Sequence, residues 1–306
     1  MKRPKPRTRG RFRSVLLVFF GVALGVAATL LVRGCTRREE RPASGASPVP
    51  SKSAPRTAAP GAGRPAPAPP SDFEPVDRRR GGVVAVVVDD VGYDEHALEA
   101  LARWDTPIAV AVIPSAPFAS RAVSLARERG WDLLVHLPMQ PESGTSEAEA
   151  IGVGDADDVI RGRVLAALAK TPGAIGLNNH QGSKATADTR VVRAVLGVVK
   201  ERGLFFLDSR TTNASVAGAE AAAMGVPFLA RDVFLDDVAA ETSAKGGVPE
   251  ALDAAWDRAL LLAAKKGQAI VIGHPRKETL AFLSEKLGLL GKKEGPRAVK
   301  VSELVP

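Results

Sequence analysis

Residues 81–306 predict an α/β domain built as a (β/α)7 barrel, closed or nearly closed, with an open doubly wound sheet as the alternative. Three observations carry this. Short apolar runs alternate with helical patterns along the whole segment. Several of the runs are apolar throughout, as strands buried on both faces are. Four of them end on polar, titratable groups: Asp89-Asp90, His136, Asn178-Asn179-His180 and His274. Parallel α/β enzymes build their sites at the C-terminal ends of strands in this way.

The elements follow in order. Val83–Val88 is the first strand, and Asp94–Arg103 has helical spacing. Ile108–Ile113 is the second strand, stopped by Pro114. Ala119–Arg129 is a helix with Gly130 placed as its C-cap. Asp132–His136 is the third strand. A polar loop, 140–154, leads to a helix from about Asp155 to Lys170. Thr171-Pro172-Gly173 turns the chain into the fourth strand, Ala174–Asn178. Asp188–Arg202 is amphipathic, with Val191, Val192, Val195, Val198 and Val199 on one face. Leu204–Leu207 is the fifth strand. A small-residue helix, about Ser215 to Met224, precedes a sixth strand, Pro227–Ala230. A long helix over 249–266 precedes the seventh strand, Ala269–Ile272, and a last helix covers about Lys277 to Leu287. Strict alternation implies a parallel sheet. No Gly-rich phosphate loop follows the first strand, which argues against nucleotide binding.

Charge divides the chain. Residues 1–80 hold 17 of the 42 basic and 5 of the 34 acidic groups. The net +8 therefore resolves into +12 on this tail and −4 on residues 81–306, the reverse of what a duplex-binding domain shows. No nucleic-acid partner is expected. A basic block over 1–13 precedes 19 uncharged residues, Ser14–Val32. As a helix these would span about 28 Å, the thickness of a bilayer core. Residues 14–33 are thus expected to be an uncleaved single-pass anchor in a bacterial inner membrane, with 1–13 cytoplasmic. A lipoprotein anchored at Cys35, the chain's single cysteine, is the competing outcome. Residues 34–80, rich in Pro and Ala, read as a disordered tether to a periplasmic or extracytoplasmic domain.

The strand ends carry the chemistry. Asp89-Asp90 closes a fully apolar strand, so one acid can face a metal while the other acts as a base. One carboxylate and two imidazoles form a common catalytic metal set with room for water. His96 falls inside the first helix and reads as a surface residue. A sugar-phosphate enzyme on a parallel barrel is a weaker reading, because no phosphate loop is visible.

Val-Val-Val-Asp89-Asp90-Val-Gly-Tyr, His136-Leu-Pro-Met, Asn178-Asn179-His180-Gln-Gly-Ser, Phe206-Leu207-Asp208-Ser209-Arg210 and Gly273-His274-Pro275 together resemble the divergent polysaccharide deacetylases. These are a branch of the wider carbohydrate deacetylases. The resemblance runs from about Val83 to the C-terminus. It implies a distorted (β/α)7 barrel, a divalent metal, usually zinc, and removal of N- or O-acetyl groups from an envelope polysaccharide such as peptidoglycan. It assigns Asp89 as base, Asp90 and His136 as metal ligands, and His274 as general acid, and His180 is expected to join the metal ligands from the next strand end. Asp208 is expected to tune or position His274. Asn178, Asn179, Ser209 and Arg210 are expected to meet substrate. Two departures stand out. Gln140 occupies the position of the second metal histidine of the usual pair, with His180 as its replacement, and the Arg-Pro-Tyr motif has no match. A non-catalytic glycan-binding or scaffolding role is the alternative these departures raise.

Overall fold

The computed structural model describes residues 81–147, 149–237, 247–291 and 295–306. The expected basic tail, anchor and linker, residues 1–80, lie outside the described residues. Among the described residues no helix is long and apolar enough to cross a membrane.

Nine strands form one sheet: β1 (Val83–Val91), β2 (Ala109–Val112), β3 (Asp132–Met139), β4 (Gly176–Gln181), β5 (Phe205–Asp208), β6 (Phe228–Ala230), β7 (Val233–Phe234), β8 (Gln268–Gly273) and β9 (Arg297–Val299). Every ladder between them is parallel. The order is β6-β5-β4-β3-β2-β1-β8-β7, with β9 beside the first three residues of β1. The order steps evenly from β6 to β1 and then meets the late strand β8, so the chain returns to its starting strand. This is the topology of a barrel and excludes the doubly wound alternative. Among the described residues no ladder joins the two ends of the path, however, so the sheet is a half-barrel. Among the described residues, Arg231 and Asp232 cross the gap. Arg231 donates its N–H to the Asp208 carbonyl on one side, and Asp232 donates to the Ile270 carbonyl on the other. A single connecting segment cannot be a ladder to itself, which is why closure stops there.

Seven helices follow the expected pattern: α1 (Glu95–Leu101), α2 (Ala119–Arg129), α3 (Asp157–Lys170), α4 (Thr189–Glu201), α5 (Ala217–Met224), α6 (Val248–Lys266) and α7 (Lys277–Leu287). Local chemistry sets their ends. The carboxylates of Asp94 and Asp188 cap α1 and α4 by accepting the N–H groups of His96 and Val191. Gly130 ends α2 at φ 63°, a conformation a β-carbon would disfavour. The valine face of α4 is buried along its length. The expected seven strands are all present, and β7 and β9 are additional. Two and three residues respectively, they are too short to register as periodic runs.

Strand parity divides the core. Val84, Val86 and Val88 of β1 and Val110 and Val112 of β2 pack outward against α1, α2, α6 and α7. Val135, Leu137, Met139, Leu177 and Phe206 pack outward against α3, α4 and α5. The alternate residues point inward: Ala85, Val87, Ala109, Ala111, Leu134, Phe205, Leu207, Ile270 and Ile272. Val299 of β9 and Val301 join this inner cluster and close its floor at the strand N-termini.

Candidate metal centre

Continuing the same parity past the apolar residues decides which polar groups reach the site. Asp89 follows outward Val88, His136 follows outward Val135, and Asn178 follows outward Leu177, so all three face inward. His180 and His274 have the same parity, two residues beyond Asn178 and Ile272. Asp90 should by this rule face outward. It reaches the site because its backbone is left-handed, φ 53°, and the β1–β2 ladder slips between Val88 and Val91. Aspartate tolerates this region better than most residues. Both acids thereby meet in one place.

Three ligand atoms converge. Asp90 Oδ1 lies 3.0 Å from His136 Nε2 and 2.7 Å from His180 Nδ1, and these nitrogens are 3.3 Å apart. Asp90 Oδ1 is buried, yet neither imidazole directs a hydrogen at it well enough for a hydrogen bond. An unsatisfied buried carboxylate oxygen facing two imidazole nitrogens fits a divalent cation. The surrounding bonds prepare the set. Asn178 Nδ2 donates to Asp89 Oδ1 at 2.8 Å, which turns Asn178 Oδ1 towards His136 Nδ1, also at 2.8 Å. His136 therefore keeps its Nδ1 proton and presents the Nε2 lone pair inward.

The protonation equilibria follow from burial and charge. Burial pushes Asp89 above the usual carboxylate value, against the pull of His136, His274 and the Asn178 amide. Burial would also raise Asp90, but the close imidazole nitrogens of His136 and His180 hold it far below that value. Burial would lower His136, but Asp89 and Asp90 hold it up at about 9. A proton and a cation compete for the same Nε2 lone pair, and the same two acids attract both.

His274 Nε2 lies 3.7 Å from Asp90 Oδ2, and its Nδ1 lies 2.9 Å from Asp236 Oδ1. Asp236, fully buried, also accepts the His274 N–H and the Thr279 hydroxyl, each at 2.9 Å. Burial disfavours the charged forms of both, but the contact wins: Asp236 is depressed and His274 raised. The carboxylate beside His274 is thus Asp236, where Asp208 was expected. Asp208 follows inward Leu207, so parity turns it away. Its carboxylate accepts from Arg210 N–H and from Ser215 Oγ, each at 2.7 Å. Val233-Phe234-Leu235 leads into Asp236-Asp237 much as β1 leads into its own acid pair, but the run is too short to mark a strand by its period.

The remaining predicted residues separate. Ser209 Oγ accepts from Asn178 Nδ2 at 3.2 Å, on the inner side. Asn179 instead braces the rim: Nδ2 donates to the Gln181 carbonyl and Oδ1 accepts from Ser209 N–H. Gly182 makes a tight turn at φ 87°, and a β-carbon there would lie 2.9 Å from that of Met139. Arg210 is exposed at the rim, also left-handed at φ 50°. Gln140, at the broken histidine position, accepts the Val153 N–H through Oε1. His96 is exposed beside Glu99, outside the site.

A family model described as divergent polysaccharide deacetylase matches residues 86–305. An uncharacterised Haemophilus influenzae protein is 40% identical over 205 residues, 67% of this chain and 70% of that one. The uncharacterised Escherichia coli protein YibQ is 33% identical over 205 residues. This chain spans 62% of its length. An uncharacterised Agrobacterium tumefaciens protein of solved structure superposes with a TM-score of 0.67 at 26% identity, covering 74% of this chain and 90% of that one.

Proposed function

The chain belongs to the divergent polysaccharide deacetylase family, and we propose that it is a metal-dependent hydrolase removing acetyl groups from an envelope polysaccharide. The observation that carries this reading is the convergence of Asp90 Oδ1, His136 Nε2 and His180 Nδ1 at the strand ends, beside an uncommitted acid and a carboxylate-held imidazole. Asp90, His136 and His180 would hold the ion, zinc under this reading. A bound divalent cation would supply Lewis-acid polarisation of the acyl carbonyl and make a water easier to deprotonate.

Asp89 takes the proton from the attacking water. Its raised pKa suits a base, and the Asn178 amide holds its other oxygen in place. His274, fixed by Asp236, gives a proton to the departing amine or alkoxide through Nε2. A backbone N–H assists the oxyanion. Asn178 and Ser209 sit on the inner wall and Arg210 on the rim, where a glycan would pass. Under this reading the domain would work outside the cytoplasm, tethered to the inner membrane by the uncharged stretch within residues 14–33 or, as the alternative, by lipidation at Cys35.

The test is metal content and acetate release from chito-oligosaccharide or peptidoglycan, on wild type and two variants. Asp90→Ala is expected to lose both metal and turnover. Asp89→Asn is expected to keep metal while turnover falls by about 10²–10⁴-fold. Metal retained in Asp90→Ala would overturn the ligand set. The second reading, a glycan-binding protein without turnover, is favoured by Gln140, whose amide is engaged in the fold where a second histidine would stand. It predicts glycan binding that is indifferent to Asp89→Asn.

A further inference from the structure

One carboxylate at the rim is used by none of these roles. Glu147 lies in the loop between β3 and α3. Its Oε1 accepts the Tyr93 hydroxyl at 2.7 Å and lies 3.5 Å from His180 Nε2. Tyr93 comes two residues after β1 ends, and His180 is on β4. One oxygen therefore draws together three separate segments of the strand-end rim.

The geometry constrains His180 further. Its Nδ1 faces Asp90 and the Nε2 of His136, so Nδ1 is the nitrogen offered to an ion. A neutral imidazole that offers Nδ1 carries its proton on Nε2, and that proton needs an acceptor. Glu147 is the carboxylate on that side. His136 is arranged the opposite way: it offers Nε2, and Asn178 holds its Nδ1. The difference follows from position. His136 lies deep in the sheet, where a neutral amide suffices and costs little to bury. His180 lies at the edge and is less buried, where a charged side chain from a loop can reach it. Burial and Glu147 both push the Tyr93 hydroxyl up, so it stays a donor to that carboxylate.

We propose that Glu147, held by Tyr93, is the positioning residue of His180: it accepts the Nε2 proton and so commits Nδ1 to the metal. This rests on the metal reading above. An outer carboxylate of this kind raises ligand basicity and fixes ring orientation, and its loss costs about 10–100-fold in metal affinity. It also makes a lone histidine on a neighbouring strand serve where the usual histidine pair is broken.

The experiment is zinc affinity of the purified full chain, measured by chelator competition, together with imidazole nitrogen NMR of zinc-loaded protein. Glu147→Ala is expected to weaken zinc by about 10–100-fold, Glu147→Gln less, and Tyr93→Phe in the same direction and least. Glu149→Gln, two residues on and paired with exposed Lys170, is expected to change nothing. The spectra are expected to show His180 bound through Nδ1 with a proton on Nε2. Zinc affinity of Glu147→Ala within about twofold of wild type, or His180 bound through Nε2, would overturn the proposal while leaving the metal reading intact. A wild-type chain that takes up no zinc would overturn both.

Discussion

At the scale of single residues, the site depends on which nitrogen or oxygen each neighbour leaves free. Asn178 shows this most directly: one amide donates to Asp89 and orients His136. Asp236 does the same for His274. The pair has a pH signature. His274 is raised above its ordinary 6.5, so its share of stability is full below 6.5 and lost as pH rises through the folded value. Asp236 is depressed below 3.8, so its share is present above 3.8 and lost as pH falls through the folded value. Stability from the pair is greatest between these limits. Asp236→Asn should flatten both arms and cost about 1–3 kcal/mol in between. Urea unfolding across pH, with a chelator present, measures this. Unchanged arms would show that the pair contributes nothing.

At the scale of elements, strand parity does most of the sorting, and short segments finish it. The left-handed turn at Asp90 brings an outward residue back to the inner side. The C-terminal segment acts at the opposite end of the half-barrel. Val299 and Val301 complete the inner cluster, and Asp132 at the start of β3 accepts both the N–H and the hydroxyl of Ser302, at 2.7 and 3.1 Å. Asp132 is buried, so removing it strands two donors. Asp132→Ala is expected to cost about 1–3 kcal/mol and to speed amide exchange over residues 301–305 while leaving zinc affinity unchanged. Hydrogen-exchange mass spectrometry and chelator competition read the two effects separately. Loss of metal binding would show that floor and site are coupled.

At the scale of the whole molecule, charge and hydropathy separate a basic tail and an apolar stretch from a mildly acidic domain. The proposed arrangement puts that domain near a surface polymer and keeps it off the membrane by the length of residues 34–80. The full chain is expected to sediment with membranes, with its domain open to protease from outside the inner membrane. Deleting residues 1–33 should release it, and Cys35→Ser should not. Release by Cys35→Ser would establish the lipid anchor instead. The half-barrel also sets how the molecule can be varied: among the described residues its gap is crossed by Arg231 and Asp232. Arg231 bonds the Ser209 carbonyl at 2.7 Å and lies 4.6 Å over the Phe234 ring, which in turn meets His274 edge-on at 5.1 Å. The gap and the His274 side of the site thus share one set of contacts.

The alternation of elements, the seven main strands and the helix ends were legible from residue order, because apolar period and capping chemistry are local properties; that Asp90, His136 and His180 belong together is an expectation drawn from the family resemblance and strand-end position, and the fold brings the three within reach of one another. Three things were not legible in this way. Asp208 ends a strand as plausibly as Asp89 does, and only its parity in the assembled sheet turns it away. Asp236 follows a strand of two residues, too short to carry a period. Glu147 is one of several acids in a polar loop, and only the fold brings it to His180. Sequence determined which residues arrive at the strand ends; the tertiary structure decided which of them face each other, because pairing across strands depends on register and on loop paths that no local pattern encodes.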